Sequence, residues 1–258
     1  MDEGEVRFTR EGNVGKVTFD RPSARNAMTW RMYEQLHTIC GEIQADPSLR
    51  VAVFRGAGGK AFVAGTDISQ FVSFKTGEDG IAYEQRMEGY LEAIESIPIP
   101  TLAVIEGWAI GGGLAIASVC DLRIATPGAR FGVPIARTLG NCLSMTNYAR
   151  IVASLGPATA KRMLLMADMI TAEEAQNVGF VIGVVEPTDI ERRIVEICER
   201  LAGNAPLTIR VSKEAIRRLL HAGLPDGDDL VRACYGSEDF RHGVRAFVDK
   251  REPQWRGR

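Results

Sequence analysis

Three consecutive glycines, Gly111 to Gly113, stand directly before the apolar run Leu-Ala-Ile-Ala, where the pattern predicts the start of a helix. Glycine is a poor helix former, so its presence there indicates that bare backbone is needed. The first N–H groups of a helix have no acceptor inside it, and the helix dipole favours negative charge at that end. Such a group can polarise a carbonyl, and two of them aimed at one oxygen form an oxyanion hole.

A second segment of this kind is Ala64-Gly65-Thr66-Asp67, which follows a predicted strand and can open a helix. Two such turns could each supply one donor. The alternative is that both are tight strand-to-helix turns packed against their neighbours, and spacing alone favours that alternative. Neither glycine cluster has the spacing of a Walker phosphate loop or of a dinucleotide-binding fingerprint.

The composition excludes several other classes of protein. Of 258 residues, 45% are hydrophobic and 25% are charged, and the net charge of −2 predicts no attraction to nucleic acid or to an anionic membrane. The five cysteines form no CxxC pair and the three histidines are scattered, so neither a disulfide framework nor a metal site is expected. The most apolar stretch, residues 97–120, contains prolines and a glutamate, which indicates buried core rather than a membrane span. A cytoplasmic protein with reduced thiols is therefore the default expectation.

The elements that must position these turns alternate between short strands and helices up to about residue 187. The alternating pattern of residues 5–22 around Gly12-Asn13 predicts a hairpin, and VAVFRG and TLAVIEG read as buried strands. Two hydroxyl–carboxylate pairs, Thr171 with Glu174 and Thr188 with Glu191, have the spacing of capping boxes. The mainly helical tail that follows either covers the flank of the core or contacts another subunit.

Five segments, in order along the chain, resemble the blocks of the enoyl-CoA hydratase/isomerase, or crotonase, family. They are VTFDRPSARNAM (17–28), AGGKAFVAGTDIS (57–69), LAVIEGWAIGGGLAIASVCDLRIAT (102–126), TAEEAQNVGFVIGVV (171–185) and FRHGVRAFVDKREPQWRG (240–257). The resemblance implies an α/β fold, a crotonase-type spiral of ββα repeats over residues 1–187 with a C-terminal helical region over 188–258. It also implies a homotrimer or a dimer of trimers.

The same resemblance implies that the backbone N–H groups of Thr66 and Gly112 hold a thioester oxygen as it becomes an enolate. The substrate is then an acyl-CoA thioester, coenzyme A enters as part of the substrate, and no permanently bound cofactor is expected. For Arg25 and Lys250 a solvated surface charge is the alternative. Residues that match coenzyme A contacts of the family are Ser23, Ala24, Arg25, Ala64, Gly65, Asp67, Ile68, Phe247 and Lys250.

The chain departs from the family pattern where hydratases carry two catalytic glutamates. Those positions are Ala115 and Ile135, neither of which can move a proton. Cys142 lies near the position of an aspartate in some relatives and is a possible acid or base, although a buried, inert cysteine is the commoner case. For Glu84 and Glu88, on the predicted helix that can border the acyl pocket, a solvated face is the favoured interpretation.

Three functions therefore remain open. The first is an acyl-CoA enzyme that works by enolate stabilisation, hydratase-like or lyase-like. The second is an enoyl-CoA isomerase with one displaced base. The third is a CoA-thioester-binding protein with little turnover, which the two intact turns make less favourable because a binder has less need of aimed donors.

Overall fold

The computed structural model describes residues 2–258, in which strands and helices alternate as far as β9 and helices follow. The strands are β1 (Glu5–Glu11), β2 (Val14–Asp20), β3 (Val51–Gly56), β4 (Ala61–Val63), β5 (Thr101–Ile105), β6 (Trp108–Ile110), β7 (Leu122–Ala125), β8 (Arg130–Gly132) and β9 (Ile170–Thr171). The helices are α1 (Trp30–Ala45), α2 (Gly77–Glu95), α3 (Gly112–Val119), α4 (Ile135–Thr138), α5 (Met145–Leu155), α6 (Pro157–Leu165), α7 (Ala172–Asn177), α8 (Ile190–Gly203), α9 (Pro206–His221), α10 (Asp228–Tyr235) and α11 (Glu238–Val248).

Two sheets are built in alternation along the chain. One has the order β1-β2-β3-β5-β7 and the other the order β4-β6-β8-β9. Only the predicted hairpin β1–β2 and the pair β8–β9 are antiparallel, and the remaining neighbours are parallel. Each of β3–β4, β5–β6 and β7–β8 therefore contributes one strand to each sheet before a helix follows. This confirms the predicted α/β class with parallel sheets.

The central strands β3 and β5 of the five-stranded sheet are buried on both faces, which explains their unbroken apolar runs. In β3, Ala52 and Phe54 belong to the main core, whereas Val51 and Val53 face a second apolar cluster. That second cluster is completed by α8, so the first C-terminal helix covers the flank of the sheet. Full burial of each valine or isoleucine there contributes about 1.5–3 kcal/mol.

One of the two predicted capping boxes forms and the other does not. Thr171 N donates to the Glu174 carboxylate at 2.9 Å and Glu174 N donates to Thr171 Oγ1 at 3.2 Å, which confirms the first. The prediction for Thr188 and Glu191 is wrong, because α8 begins at Ile190 with no side-chain cap. The Glu191 carboxylate instead pairs with the Arg55 guanidinium on β3.

The C-terminal helices differ in what they cover. Helix α10 packs against α2 so closely that a Cβ on Gly80 would lie 2.2 Å from the Tyr235 ring, so only glycine fits there. Helix α9 has no buried residue and leaves several apolar side chains in solvent. No helix of the described residues combines the length and the apolar character needed to cross a membrane.

Candidate active site

The two glycine-bearing turns predicted from the sequence lie in the wall of one cavity of about 430 Å³. The first turn follows β4 and the second connects β6 to α3, and these strands are paired in parallel. Because the carboxyl ends of parallel neighbours meet at one edge of a sheet, the two turns come together there. A Cβ built on Gly112 would lie 3.7 Å from Thr66 N, and one built on Gly111 would lie 4.0 Å from the Gly65 Cα atom.

The first turn leaves the Thr66 N–H without an acceptor among residues 2–258. Met28 N donates to Gly65 O and Asp67 N donates to Met28 O, both at 2.9 Å. In extended backbone successive N–H groups point to opposite sides. The Thr66 N–H therefore faces away from Met28.

The second turn needs all three of its glycines for different reasons. Gly111 has φ 52° and ψ −115°, a conformation that side chains disfavour. Gly112 is the first residue of α3, so its N–H has no partner within the helix. A Cβ on Gly113 would lie 1.9 Å from the Val63 carbonyl oxygen, so glycine allows α3 to pack directly on β4. The three glycines therefore have different roles: Gly111 adopts the unusual conformation, Gly112 supplies the free N–H, and Gly113 allows the close contact with β4.

Two buried tyrosines hold the Thr66 side chain beside the free N–H groups. The Thr66 hydroxyl is 2.9 Å from Tyr33 Oη and 3.2 Å from Tyr83 Oη. Burial raises the pKa of both phenols above its ordinary value, so they are neutral hydrogen-bonding groups at any physiological pH. Tyr33 Oη also lies 2.7 Å from the position of a Cβ on Gly112, which closes the space behind the helix start.

Asp67 has a structural role in the first turn. Its carboxylate accepts hydrogen bonds from Ser69 N at 3.1 Å and from Arg21 Nη1 at 2.8 Å, and it caps the 3₁₀ turn Ile68–Phe71. Although partial burial acts in the opposite direction, the hydrogen bonds from Ser69 and Arg21 lower the pKa of Asp67. It is therefore a fixed anion that anchors the first turn.

The residues predicted to contact coenzyme A divide into two groups. Those that line the cavity are Ala24, Arg25, Ala64, Gly65, Asp67, Ile68 and the half-exposed Phe247. Ala64 N donates to Arg25 O at 3.1 Å, which ties the segment around Arg25 to the first turn. Ser23 and Lys250 do not line it: the Ser23 hydroxyl donates to Asp2 at 2.5 Å, and Lys250 is exposed just after α11.

Ala115 and Ile135 both line the cavity, so its wall is apolar at the two positions that the family pattern singles out. Cys142 does not line it, since its thiol lies 3.8 Å from the Leu230 carbonyl oxygen. A hydrogen bond with the Cys234 thiol and burial raise the pKa of the Cys142 thiol above its ordinary value. The structure therefore gives no support to Cys142 as an acid or a base.

The prediction of a solvated face for Glu84 is wrong. It is 5% exposed, on α2, and it is one of the residues that line the cavity instead of facing solvent. Burial raises the pKa of Glu84 to about 7, although Tyr235 Oη and Ser144 N donate hydrogen bonds to it at 2.6 Å and 2.9 Å. Glu88 instead pairs with the buried Arg150 at 2.7 Å.

The sequence did contain a signal for this burial. Glu84 precedes the buried Met87, Leu91 and Ile94 by three, seven and ten residues, which places it on the apolar face of α2. Its partner Tyr235 lies on α10, a helix that the sequence did not predict separately. No group of three or more histidines, cysteines or carboxylates within residues 2–258 is placed to hold a metal ion.

Comparison with known proteins gives a consistent result. Residues 9–258 match the family model described as enoyl-CoA hydratase/isomerase. The chain is 33% identical over 256 residues to a short-chain-enoyl-CoA hydratase of Clostridium acetobutylicum, covering 98% of this chain and 97% of that protein. An enoyl-CoA hydratase/carnithine racemase structure from Magnetospirillum magneticum aligns with a TM-score of 0.80 at 33% identity, covering 100% and 97%. A methylmalonyl-CoA decarboxylase in complex with 2-nitronate-propionyl-CoA aligns with a TM-score of 0.90 at 27% identity, covering 98% and 99%.

Proposed function

Because the chain belongs to the enoyl-CoA hydratase/isomerase family, we propose that it is an acyl-CoA enzyme that stabilises a thioester enolate with the backbone N–H groups of Thr66 and Gly112. The observation that carries this proposal is the pair of N–H groups without acceptors on adjacent turns at one cavity wall. When a proton leaves the carbon next to the thioester, negative charge develops on the carbonyl oxygen. Two fixed donors stabilise that charge more than they stabilise the neutral carbonyl.

The neighbour solved with 2-nitronate-propionyl-CoA supports the same chemistry. A nitronate is a planar anion whose charge is spread over carbon, nitrogen and oxygen, and it therefore imitates an enolate beside a thioester. The fold that binds it aligns with this chain over nearly its whole length. Loss of one oxyanion donor typically lowers turnover by about 10²–10³-fold, so we expect removal of either N–H to lower turnover by that factor.

The coenzyme A portion is proposed to lie along the segment that contains Ala24 and Arg25. Arg25 borders both the acyl cavity and a second cavity of about 500 Å³, which is also lined by Lys60. Two cations at this border suit the phosphates of coenzyme A. We also propose Ser23 and Lys250 as contacts of the coenzyme A portion of the substrate. Phe247, on α11, lines the acyl cavity.

We further propose that the chain assembles as a homotrimer or a dimer of trimers. Helix α9 has no buried residue, although its sequence is amphipathic, and four of its apolar side chains are exposed in the single chain. Large apolar side chains left in solvent on one helix suit an interaction site, and another copy of the chain would bury them. The exposed apolar residues of α9 are Leu207, Val211, Ile216 and Leu219.

The test is enolate formation, measured as exchange of the C2 hydrogens of butyryl-CoA with D₂O by NMR. We expect the wild type to catalyse exchange and Gly112→Pro, which deletes one donor N–H, to lose about 10²-fold or more. The proline is introduced in a Tyr33→Phe background, because Tyr33 Oη would lie 2.7 Å from a Cβ at residue 112. Tyr33→Phe alone is the control.

Two results would contradict the proposal. Saturable butyryl-CoA binding by the wild type without any exchange would favour a binding protein with little turnover. Full exchange by a folded double variant would mean that the Gly112 N–H does not hold the oxygen. Hydration of crotonyl-CoA, followed by loss of its ultraviolet absorbance, then separates a hydratase from other enolate-forming enzymes.

A further inference from the structure

We propose that Glu84 is the proton carrier of this active site: its carboxylate removes a proton from the acyl carbon next to the thioester and returns it. In this step the C–H bond breaks and its electron pair forms the C1–C2 double bond of the enolate. The carbonyl electron pair moves onto the oxygen that faces Thr66 and Gly112, and the proton bonds to a Glu84 carboxylate oxygen. This proposal rests on the proposed function. It assigns the acid–base role to Glu84, because the side chains of Ala115 and Ile135 carry no group that can transfer a proton.

The surroundings of Glu84 suit a base. Glu84 lines the acyl cavity together with Met87, Leu91 and Ala115, which are apolar. Within residues 2–258 no arginine, lysine or histidine forms an ion pair with it, because the neighbouring Arg150 is bound by Glu88 and Glu95. An anion in an apolar wall without a cation binds protons more strongly than one in water.

Two hydrogen bonds orient the carboxylate and leave it free to react. Tyr235 Oη donates to Oε1 at 2.6 Å and Ser144 N donates to Oε2 at 2.9 Å. Each carboxylate oxygen can accept a second hydrogen bond, so neither contact exhausts it. Asn141 Nδ2 donates to Tyr235 Oη at 3.2 Å and thereby holds the phenol that orients Glu84. The carboxyl is thus fixed by three elements: α2, α10 and the loop before α5.

Glu84 also has a route for exchanging its proton with water. It also borders a third cavity, of about 290 Å³. That cavity is lined by Gln85, Ser144, Asp226 and Asp228, of which Asp226 is exposed and Asp228 is half-buried. A carboxyl that borders both the acyl cavity and a polar cavity can pass a proton from one to the other.

Burial raises the pKa of Glu84 to about 7, so a reaction that needs its carboxylate should accelerate with pH and level off above about 7. Glu88 on the same helix raises this pKa further, and its own partner is Arg150. The other titratable groups near Glu84 are Tyr83 on the same helix, Asp226 and Asp228 in the shared cavity, and, from neighbouring elements, Tyr33, Tyr148, Tyr235, Cys142 and Cys234. None of them is a cation.

The experiment compares C2 exchange of butyryl-CoA by the wild type, Glu84→Gln and Glu92→Gln. Glu92 is the matched control, since it lies on the same helix with a side chain 60% exposed. We expect Glu84→Gln to lose about 10²-fold or more of the exchange rate while butyryl-CoA affinity, measured by calorimetry, is retained. Glu92→Gln should match the wild type.

A purely structural role predicts another outcome. If folded Glu84→Gln exchanges within about threefold of the wild type, the carboxyl is not the proton carrier and the proposed function stands. If the wild type binds butyryl-CoA without exchange, the proposed function itself fails. If the glutamine variant does not fold, the wild-type pH profile decides, because an exchange rate without an inflection near pH 7 would overturn the role of Glu84.

Discussion

Replacement of Glu84 by glutamine should make the protein more stable, and increasingly so as the pH rises. The glutamine can keep both contacts, with its carbonyl oxygen accepting from Ser144 N and its amide donating to Tyr235 Oη. What it removes is the ionisable group. The free energy of unfolding of the variant is therefore free of the pH dependence that a buried carboxyl imposes.

The magnitude follows from the pKa. Burial raises the pKa of Glu84 from 4.5 to about 7, so between these values the folded state binds a proton that the unfolded state releases. Stability from this group is fully present below about pH 4.5 and is lost as the pH rises through about 7. A shift of this size corresponds to about 3 kcal/mol of unfolding free energy. The group is almost fully buried, so solvent screening does not reduce this figure substantially.

The assay is urea unfolding of the wild type, Glu84→Gln and Glu92→Gln at one protein concentration, since assembly also shifts stability. The advantage of Glu84→Gln over the wild type should grow by about 2.5 kcal/mol between about pH 5 and about pH 8. Glu92→Gln should run parallel to the wild type. An advantage that stays constant with pH would refute the raised pKa, and with it the argument that Glu84 is unpaired in the cavity wall.

Three further predictions test the packing and the cavity wall. Gly113→Ala should destabilise the fold by about 3 kcal/mol or more in thermal unfolding, because its Cβ would lie 1.9 Å from a carbonyl oxygen. Gly89→Ala is the control: its Cβ would have no atom within 4 Å, so it should raise the free energy of unfolding by about 0.5–1 kcal/mol. Arg150→Ala should cost about 3–5 kcal/mol in urea unfolding, since it leaves two carboxylates without their buried cation. Ala115→Glu combined with Ile135→Glu should raise crotonyl-CoA hydration above the wild-type rate, and an unchanged rate would contradict the account of the missing acids.

The parts of the site made of backbone were accessible from the sequence. Glycine-rich turns leave a strong pattern, because few other residues tolerate a positive φ or a contact as close as that of Gly113. The hairpin around Gly12 and the capping box at Thr171 could also be predicted, because each depends on residues that are near one another in sequence.

The misplaced parts depend on contacts between distant residues. The charge of Glu84 favours a solvated position. Its burial is determined instead by the apolar stripe of α2 and by the packing of Tyr235, 151 residues later in the sequence. The capping box at Thr188 does not form because α8 begins at Ile190, one residue later than the pattern requires, and the Glu191 carboxylate pairs with Arg55, which is far away in sequence. Strands of three residues such as β4 and β6 carry too little pattern to reveal that they form a second sheet.

The free N–H groups of Thr66 and Gly112 belong to the main chain, and this has a consequence for how the protein can change. Almost any amino acid at position 66 supplies the same N–H, so point mutation rarely removes it. The side chains at positions 84, 115 and 135, in contrast, can be replaced one at a time while the two main-chain N–H groups stay unchanged. If these N–H groups hold the thioester oxygen as proposed, the reaction can change through side-chain substitutions while the contact with that oxygen is kept throughout.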